Sequence, residues 1–199
     1  TISEVRLRVR GLSRWGFFHG IDLEARRGEI LGICGLSGAG RSELARVLVG
    51  LDAADRGEIE LDGEVLKGEG MAYFLSKGIA YLTEDRKSEG LALRLTVEDN
   101  TLAAVIPRLS KGQFYNKKAG GPTVARLIQE LSVYPPDPAR TIGNISGGNQ
   151  QKVLLAKWMA GEPKVLILDE PTRGVDIGAK MIIHEAVERL AEAGNTVLL

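Results

Sequence analysis

A glycine-rich segment, GLSGAGRS from Gly35 to Ser42, has residue types and a spacing suited to binding phosphate. Its glycines allow backbone N–H groups to point inward around an anion without side-chain clashes. An apolar run precedes the segment and an amphipathic run follows it, so it would join a strand to a helix N-terminus, which favours negative charge. The spacing matches the phosphate loop G-x-x-x-x-G-K-[ST], except that Arg41 stands at the lysine position. Ser42 offers a hydroxyl ligand for magnesium.

The arginine leaves two interpretations of this segment open. Arg41 keeps a positive charge, but its planar guanidinium is bulkier than an ammonium group and not interchangeable with it. The segment is therefore a nucleotide site or a structural glycine turn between a strand and a helix. If it binds phosphates, the contacting residues are Gly35, Gly38, Ala39, Gly40, Arg41 and Ser42.

Two adjacent acids end a second apolar run, KVLILDEPTRGVD. Asp169, at the tip of the predicted strand, can hold magnesium, and Glu170 would then face the water that attacks a terminal phosphate. The alternative is that both acids simply end a strand in solvent.

A third pattern, ISGGNQQKVLLAKW from Ile145 to Trp158, begins with a serine and two glycines. Ser146 is a natural helix N-cap, and the glycines leave the helix start open to an anion. The same pattern also predicts an ordinary capped helix that packs Val153, Leu154 and Trp158 into the core.

The elements that position these residues follow from hydrophobic periodicity. Alternating or apolar runs predict strands over 5–10, 29–34, 78–82, 164–168 and 195–199, the first an edge strand and the second buried. Asp62-Gly63 between two short alternating runs predicts a hairpin. Helices are expected after the phosphate loop, ending at Gly50, and over 179–193, ending at Gly194.

The stretch from about 96 to 145 predicts a helical insert with a polar, loop-broken middle. Thr96 and Asp99 have the spacing of a capping box, and Pro122 suits a first helical turn. Together these patterns predict an α/β protein with a parallel core, an antiparallel β layer and this insert. The whole of 1–199 is expected to be one domain, and the apolar run that ends it predicts that the natural domain continues further.

The amino-acid composition argues against some classes of function. The 26 basic and 26 acidic side chains cancel, so no basic field argues for nucleic acid. Apolar runs fall short of the ~18 residues that cross a bilayer, so a membrane link would need a partner. Cys34 is the only cysteine, which excludes an internal disulfide.

The three motifs in this order resemble the ATP-binding domain of ATP-binding-cassette (ABC) proteins, a P-loop NTPase fold with a RecA-like core. The match spans nearly the whole chain. GEILGICGLSGAGRSEL, YLTEDRKSEGL, ISGGNQQK and LDEPTRGVDIGAK resemble more closely the second ATP-binding domain of bacterial importers of ribose, xylose, galactose or arabinose. That group shares Arg41, Glu84 and Asn149 with this chain, whereas Ile145 replaces its usual leucine.

The resemblance implies a role for each matching residue. Gly35–Ser42 is the phosphate loop, Glu84 occupies the glutamine-loop position and Asp176 lies at the dimer seam. Asp169 and Ser42 would bind magnesium, and Glu170 is the catalytic glutamate. Ser146, Gly147, Gly148, Asn149 and Gln150 form the signature. Trp15 is the candidate for stacking on adenine, with Phe18 behind it, although an aromatic residue there could equally pack under the hairpin.

The resemblance also implies ATP and magnesium as cofactors, and partners at the cytoplasmic face of a bacterial inner membrane. These are a second ABC ATP-binding domain of the same polypeptide, a membrane permease and, indirectly, an extracytoplasmic sugar-binding protein. Two such domains close head to tail, so that the signature of one completes the phosphate loop of the other. Arg41 and Glu84 would then mark the weaker of two sites. The alternatives are a regulatory half that binds ATP without turnover and a soluble ABC ATPase without a transport role.

Overall fold

The computed structural model describes residues 4–36, 38–112 and 114–199. Its strands are β1 Val5–Arg14, β2 Phe18–Arg26, β3 Ile30–Leu31, β4 Arg56–Leu61, β5 Glu64–Val65, β6 Ile79–Leu82, β7 Ser110–Lys111, β8 Phe114–Tyr115, β9 Val165–Leu168 and β10 Thr196–Leu198. Its α-helices are α1 Arg41–Leu48, α2 Met71–Lys77, α3 Val97–Leu102, α4 Ile106–Leu109, α5 Gly121–Glu130, α6 Gly147–Met159 and α7 Ile177–Glu192. The chain forms two compact units. The first runs up to Tyr81 and includes Pro163–Asp169 and Val187–Leu199, and the second comprises Leu82–Glu162 and Glu170–Ala186.

The first unit contains a parallel sheet with the strand order β3-β10-β9-β6. β10 runs parallel to both β3 and β9, which confirms that the runs before the phosphate loop and before Asp169 share one sheet and one direction. All four residues of β9 are buried because the strand has neighbours on both sides and carries only apolar side chains.

The predicted strand over 29–34 is shorter and less buried than its sequence indicated. Only Ile30 and Leu31 are in strand conformation, and Ile30 is 40% exposed. Among the described strands β3 pairs only with β10, so it lies at the edge of the sheet and one of its sides is uncovered. An apolar run resembles a central strand whether or not both of its sides become covered.

The antiparallel layer has the order β2-β1-β4-β5, so the prediction that residues 5–10 form an edge strand was wrong. β1 lies between two neighbours, and Arg8 forms ion pairs to both of them, with Glu24 on β2 and Glu60 on β4. Alternation along a strand indicates that one face is buried. It does not indicate how many strands flank it.

Turn chemistry confirms the predicted hairpin between β4 and β5. Asp62 and Gly63 have φ values of 49° and 84°, the two positive values that a two-residue type I′ turn requires. Helix α1 follows Gly40, buries Leu44, Ala45, Val47 and Leu48, and is followed by Gly50 at φ 70°, as predicted.

The second unit is built around α6, against which α3 and α5 pack. Val153 and Leu154 are fully buried, and Trp158 is 7% exposed, as predicted. The Thr96–Asp99 capping box is present, and Pro122 lies in the first turn of α5. The short β7–β8 hairpin was not predicted, because two-residue strands are too short to show a period.

We expect Asp99→Asn to lower the free energy of unfolding more at neutral pH than in acid. Hydrogen bonds from Lys117 and Thr96 hold the pKa of Asp99 below its ordinary value. Such a carboxylate stabilises the fold above its unfolded pKa, and the contribution is lost as the pH falls through its folded pKa. Urea unfolding at pH 7 and at about pH 3 tests this. An equal destabilisation at both values would mean that the amide disturbs packing instead, and Glu188→Gln, an exposed acid on α7, is the control.

Candidate functional site

The phosphate-loop segment is an exposed turn of the first unit whose backbone conformation requires glycine at two positions. Gly38 and Gly40 have φ values of 80° and 81°, a region that other residues rarely adopt. A Cβ on Gly40 would lie 2.8 Å from the carbonyl oxygen of Phe17, so a side chain has no room there. Gly35, Gly38 and Ala39 are exposed, while Arg41 and Ser42 begin α1 and are half-buried. Residue 37 of the loop lies outside the described residues.

The loop therefore fits an anion on geometric grounds. The first N–H groups of a helix have no partners within the helix, and the dipole places positive potential at the same end. The loop and Arg41 together offer backbone donors and one cation to a polyphosphate.

Asp169 follows β9 in the same unit and is held by a residue that the sequence analysis missed. The hydroxyl of Tyr81, on β6, donates to Asp169 Oδ2 at 3.2 Å, and Tyr81 is only 4% exposed. The one signal for it was a single hydroxyl within an otherwise apolar strand.

The two side chains predicted to bind magnesium, Ser42 and Asp169, have the chemistry that this ion requires. Ser42 and Asp169 offer oxygen atoms, which magnesium prefers, and magnesium usually takes its remaining ligands from phosphates and water. Among the described residues, no group of three or more His, Cys, Asp or Glu side chains could hold a metal ion by itself. That donor set fits a metal shared with a nucleotide rather than a protein-only metal site.

Glu84 and Glu170 share one arginine in the second unit. Arg173 Nη1 lies 2.6 Å from Glu84 Oε2 and 3.4 Å from Glu170 Oε2. Glu170 has a positive φ of 45°, a backbone strain of a kind that often marks functional positions. Arg173 was part of the DEPTR motif, but the sequence offered no means of assigning its partners.

The signature residues form the start of α6. Ser146 Oγ caps the helix by accepting hydrogen bonds from Asn149 N at 3.4 Å and from Asn149 Nδ2 at 2.9 Å. Asn149 Oδ1 accepts from the backbone N–H of Tyr134 at 2.8 Å, which ties the helix start to the preceding loop. Gln150 Nε2 donates to the carbonyl oxygen atoms of Ile142 and Ile145 at 3.2 and 3.3 Å.

Asp176 packs against the same helix start. Its Oδ1 accepts from Ala179 N at 2.9 Å and caps α7, while its Oδ2 lies 2.7 Å from the position of a Cβ on Gly148. Gly148 is therefore needed for this close approach.

Trp15 lies in the turn between β1 and β2 and is 53% exposed. Its ring is 5.0 Å from that of His19, and the Arg56 guanidinium lies 5.4 Å from its centroid. Phe18 is 7% exposed and belongs to the core.

Comparison with known proteins agrees with this geometry. The ABC transporter family model matches residues 18–173, so the chain belongs to the ABC transporter family. It is 44% identical over 198 residues to a ribose/galactose/methyl galactoside import ATP-binding protein of Rhizobium etli. It is 45% identical over 197 residues to a ribose import ATP-binding protein of Rubrobacter xylanophilus. The alignments cover 100% and 99% of this chain but only 38% of each relative, so the chain spans about two fifths of their length.

Solved structures show the same fold at lower identity. A nucleotide-free ATP-binding cassette of an ABC transporter superimposes with a TM-score of 0.83 and 22% identity, covering 98% of this chain and 80% of that one. An ATP-binding cassette of an ABC transporter in its ADP conformation gives a TM-score of 0.81 and 22% identity, with the same coverage. The chain thus has the P-loop NTPase fold of an ABC cassette, with its parallel and antiparallel sheets. Among the described residues, no helix is both long and apolar enough to cross a membrane.

Proposed function

We propose that this chain is the nucleotide-binding domain, with 96–145 as its helical insert, that binds and hydrolyses ATP to drive import of a simple sugar. The observation that carries the proposal is the ordered set of phosphate loop, signature and acidic strand end in a chain 44–45% identical to sugar-import ATP-binding proteins. Its partners are a second ABC domain, a membrane permease and, indirectly, a sugar-binding protein. It acts at the cytoplasmic face of the membrane, bound through the permease.

We further propose that it is the second and weaker cassette of its polypeptide. Arg41 replaces the phosphate-loop lysine, and Glu84 stands where other cassettes have glutamine. Its own phosphate loop binds ATP but supports little hydrolysis, because a guanidinium cannot reproduce the point charge of lysine. Its signature completes the site whose phosphate loop belongs to the other domain.

In this scheme each named residue has one task. Bound magnesium would neutralise charge on the terminal phosphates. Ser42 and Asp169 would hold the ion, with Tyr81 orienting Asp169. The phosphate-loop N–H groups and Arg41 hold the phosphates, and Glu170 orients the attacking water. The Ser146 end of α6 presents its backbone N–H groups to the terminal phosphate of the other site, and Asp176 supports it there.

The second candidate function is a regulatory half that holds ATP without turnover. The pairing of Glu84 and Glu170 with Arg173 favours it, because both carboxylates are already engaged by one cation. Phosphate release by the full-length protein, with permease and sugar-binding protein in vesicles, decides between the two. Sugar-stimulated hydrolysis that falls in Glu170→Gln supports turnover by this domain, and sugar-stimulated hydrolysis that this variant leaves unchanged supports a regulatory half. Hydrolysis that ignores permease and sugar would point to a soluble ATPase.

We expect Trp15→Ala to weaken ATP binding by the full-length protein about two- to tenfold, the worth of one aromatic stacking contact. Inorganic triphosphate, which has no base, should bind equally to wild type and variant. Phe17→Ala is the matched control, because Phe17 is 49% exposed in the same turn. Equal losses for ATP and triphosphate would show that Trp15 supports the loop and does not contact adenine.

A further inference from the structure

Arg86 lies where three segments of the second unit meet. Its Nη1 donates to the carbonyl oxygen of Arg173 at 3.3 Å. Its Nη2 lies 2.9 Å from the position that a Cβ on Gly147 would occupy, so the guanidinium rests against the first residue of α6. Its Nε is buried and has no hydrogen-bond partner among the described residues. Arg86 belongs to the segment YLTEDRKSEGL, in which the resemblance to ABC domains assigns a role to Glu84 alone.

The turn that contains Arg86 is also hydrogen-bonded to α6 and packs against it. Asp85 caps the turn Arg86–Gly90 by accepting hydrogen bonds from the N–H groups of Lys87 and Ser88, and these bonds lower the pKa of Asp85. At its other end, Lys157 Nζ donates to the carbonyl oxygen of Gly90 at 3.0 Å. A Cβ on Gly90 would lie 2.9 Å from Leu154 Cδ2, so the turn lies directly on the helix. The turn is thus held at both the start and the end of α6.

The helix dipole does not explain the place of Arg86 beside the start of α6. The positive end of a helix dipole favours an acidic side chain and disfavours a cation. The contacts of Arg86 instead indicate that it fixes the position of neighbouring segments. Arg86 fills the space beside Gly147 and connects the start of α6 to the loop that contains Arg173. The side chain of Arg173 in turn forms ion pairs with Glu84 and Glu170.

We propose that Arg86 is a positioning residue that sets the orientation of the Ser146 end of α6 relative to the Arg173 loop. The inference rests on the proposed function, because the signature acts on ATP held by the other domain. Arg86 then serves the site of the other domain, and its loss acts through the signature. Removing it should leave ATP binding by that phosphate loop intact and slow the chemical step.

The test measures steady-state ATP hydrolysis by the full-length protein with its permease for Arg86→Ala, Gly147→Ala and the double variant. Small misplacements of a catalytic group cost up to about a hundredfold, so each single variant should lower kcat about ten- to a hundredfold and leave the KM for ATP unchanged. The double variant should be no worse than either single variant, because the methyl group of Gly147→Ala displaces the guanidinium whose contact Arg86→Ala removes. Arg126→Ala removes an exposed arginine from an ion pair with Glu130, and Gly121→Ala adds a methyl group where no atom lies within 4 Å. Both controls should behave as wild type.

A second measurement is independent of hydrolysis. Amide hydrogen exchange over 146–150, without nucleotide, should be faster in Arg86→Ala than in wild type or Arg126→Ala. A raised KM with unchanged kcat, additive single effects, or exchange equal to that of Arg126→Ala would each overturn the inference. A wild-type protein that does not hydrolyse ATP would refute the proposed function, and the exchange result alone would then decide on Arg86.

Discussion

Ser146→Arg in the full-length protein is expected to remove most sugar-stimulated ATP hydrolysis, a loss of about a hundredfold or more. Ser146 is exposed and caps α6, at the helix start that we propose meets the terminal phosphate of ATP in the other domain. An arginine would fill this space and displace the backbone N–H groups from the phosphate. Removing one well-placed donor to a developing negative charge costs about 2.7–4 kcal/mol of barrier.

Arg41→Ala is the matched comparison for Ser146→Arg. We expect a much smaller loss, because the phosphate loop it belongs to already lacks the lysine that hydrolysis favours. Phosphate release by the assembled transporter is measured for wild type and both variants, with thermal unfolding to detect a lost cap. Equal losses would show that the two sites contribute equally. Unchanged activity in Ser146→Arg would show that the signature takes no part in a shared site.

Gly57→Ala is expected to destabilise the fold by about 2–5 kcal/mol, the largest effect of a single methyl group that we predict. A Cβ at this position would lie 2.5 Å from Leu12 Cα and 2.7 Å from the carbonyl oxygen of Arg10, and neither backbone atom can rotate away. The close approach occurs where the register between β1 and β4 shifts after Arg10. Gly57 also has a φ of 97°, which an alanine adopts only with strain.

Gly20→Ala separates these two causes. Gly20 has a φ of 61°, and a Cβ there would have no atom within 4 Å, so only the backbone strain applies. The midpoint of urea unfolding should fall slightly for Gly20→Ala and far more for Gly57→Ala. If the two midpoints coincide, the strands separate easily and the collision costs little.

Most of the fold could be predicted from local patterns. The apolar run of β9, the Asp62-Gly63 turn, the Thr96–Asp99 capping box and the glycine stop after α1 each depend on a few neighbouring residues. The errors fell on properties that depend on distant segments. β1 was predicted to be an edge strand and has two neighbours, and the strand before the phosphate loop was predicted to be buried and lies at a sheet edge.

By itself, the sequence determined the motif order, and with it the candidate residues for phosphate, magnesium and water, because each motif depends on residue type and short spacing. Only the tertiary structure decided which other side chains contact these candidate residues. Tyr81 meets Asp169 across 88 residues, Arg173 meets Glu84 across 89, and Arg86 reaches the Arg173 backbone across 87. A motif records what a residue can do chemically. Its partner, however, is chosen by the folding of the whole chain, which brings separated segments together through packing that no local pattern encodes.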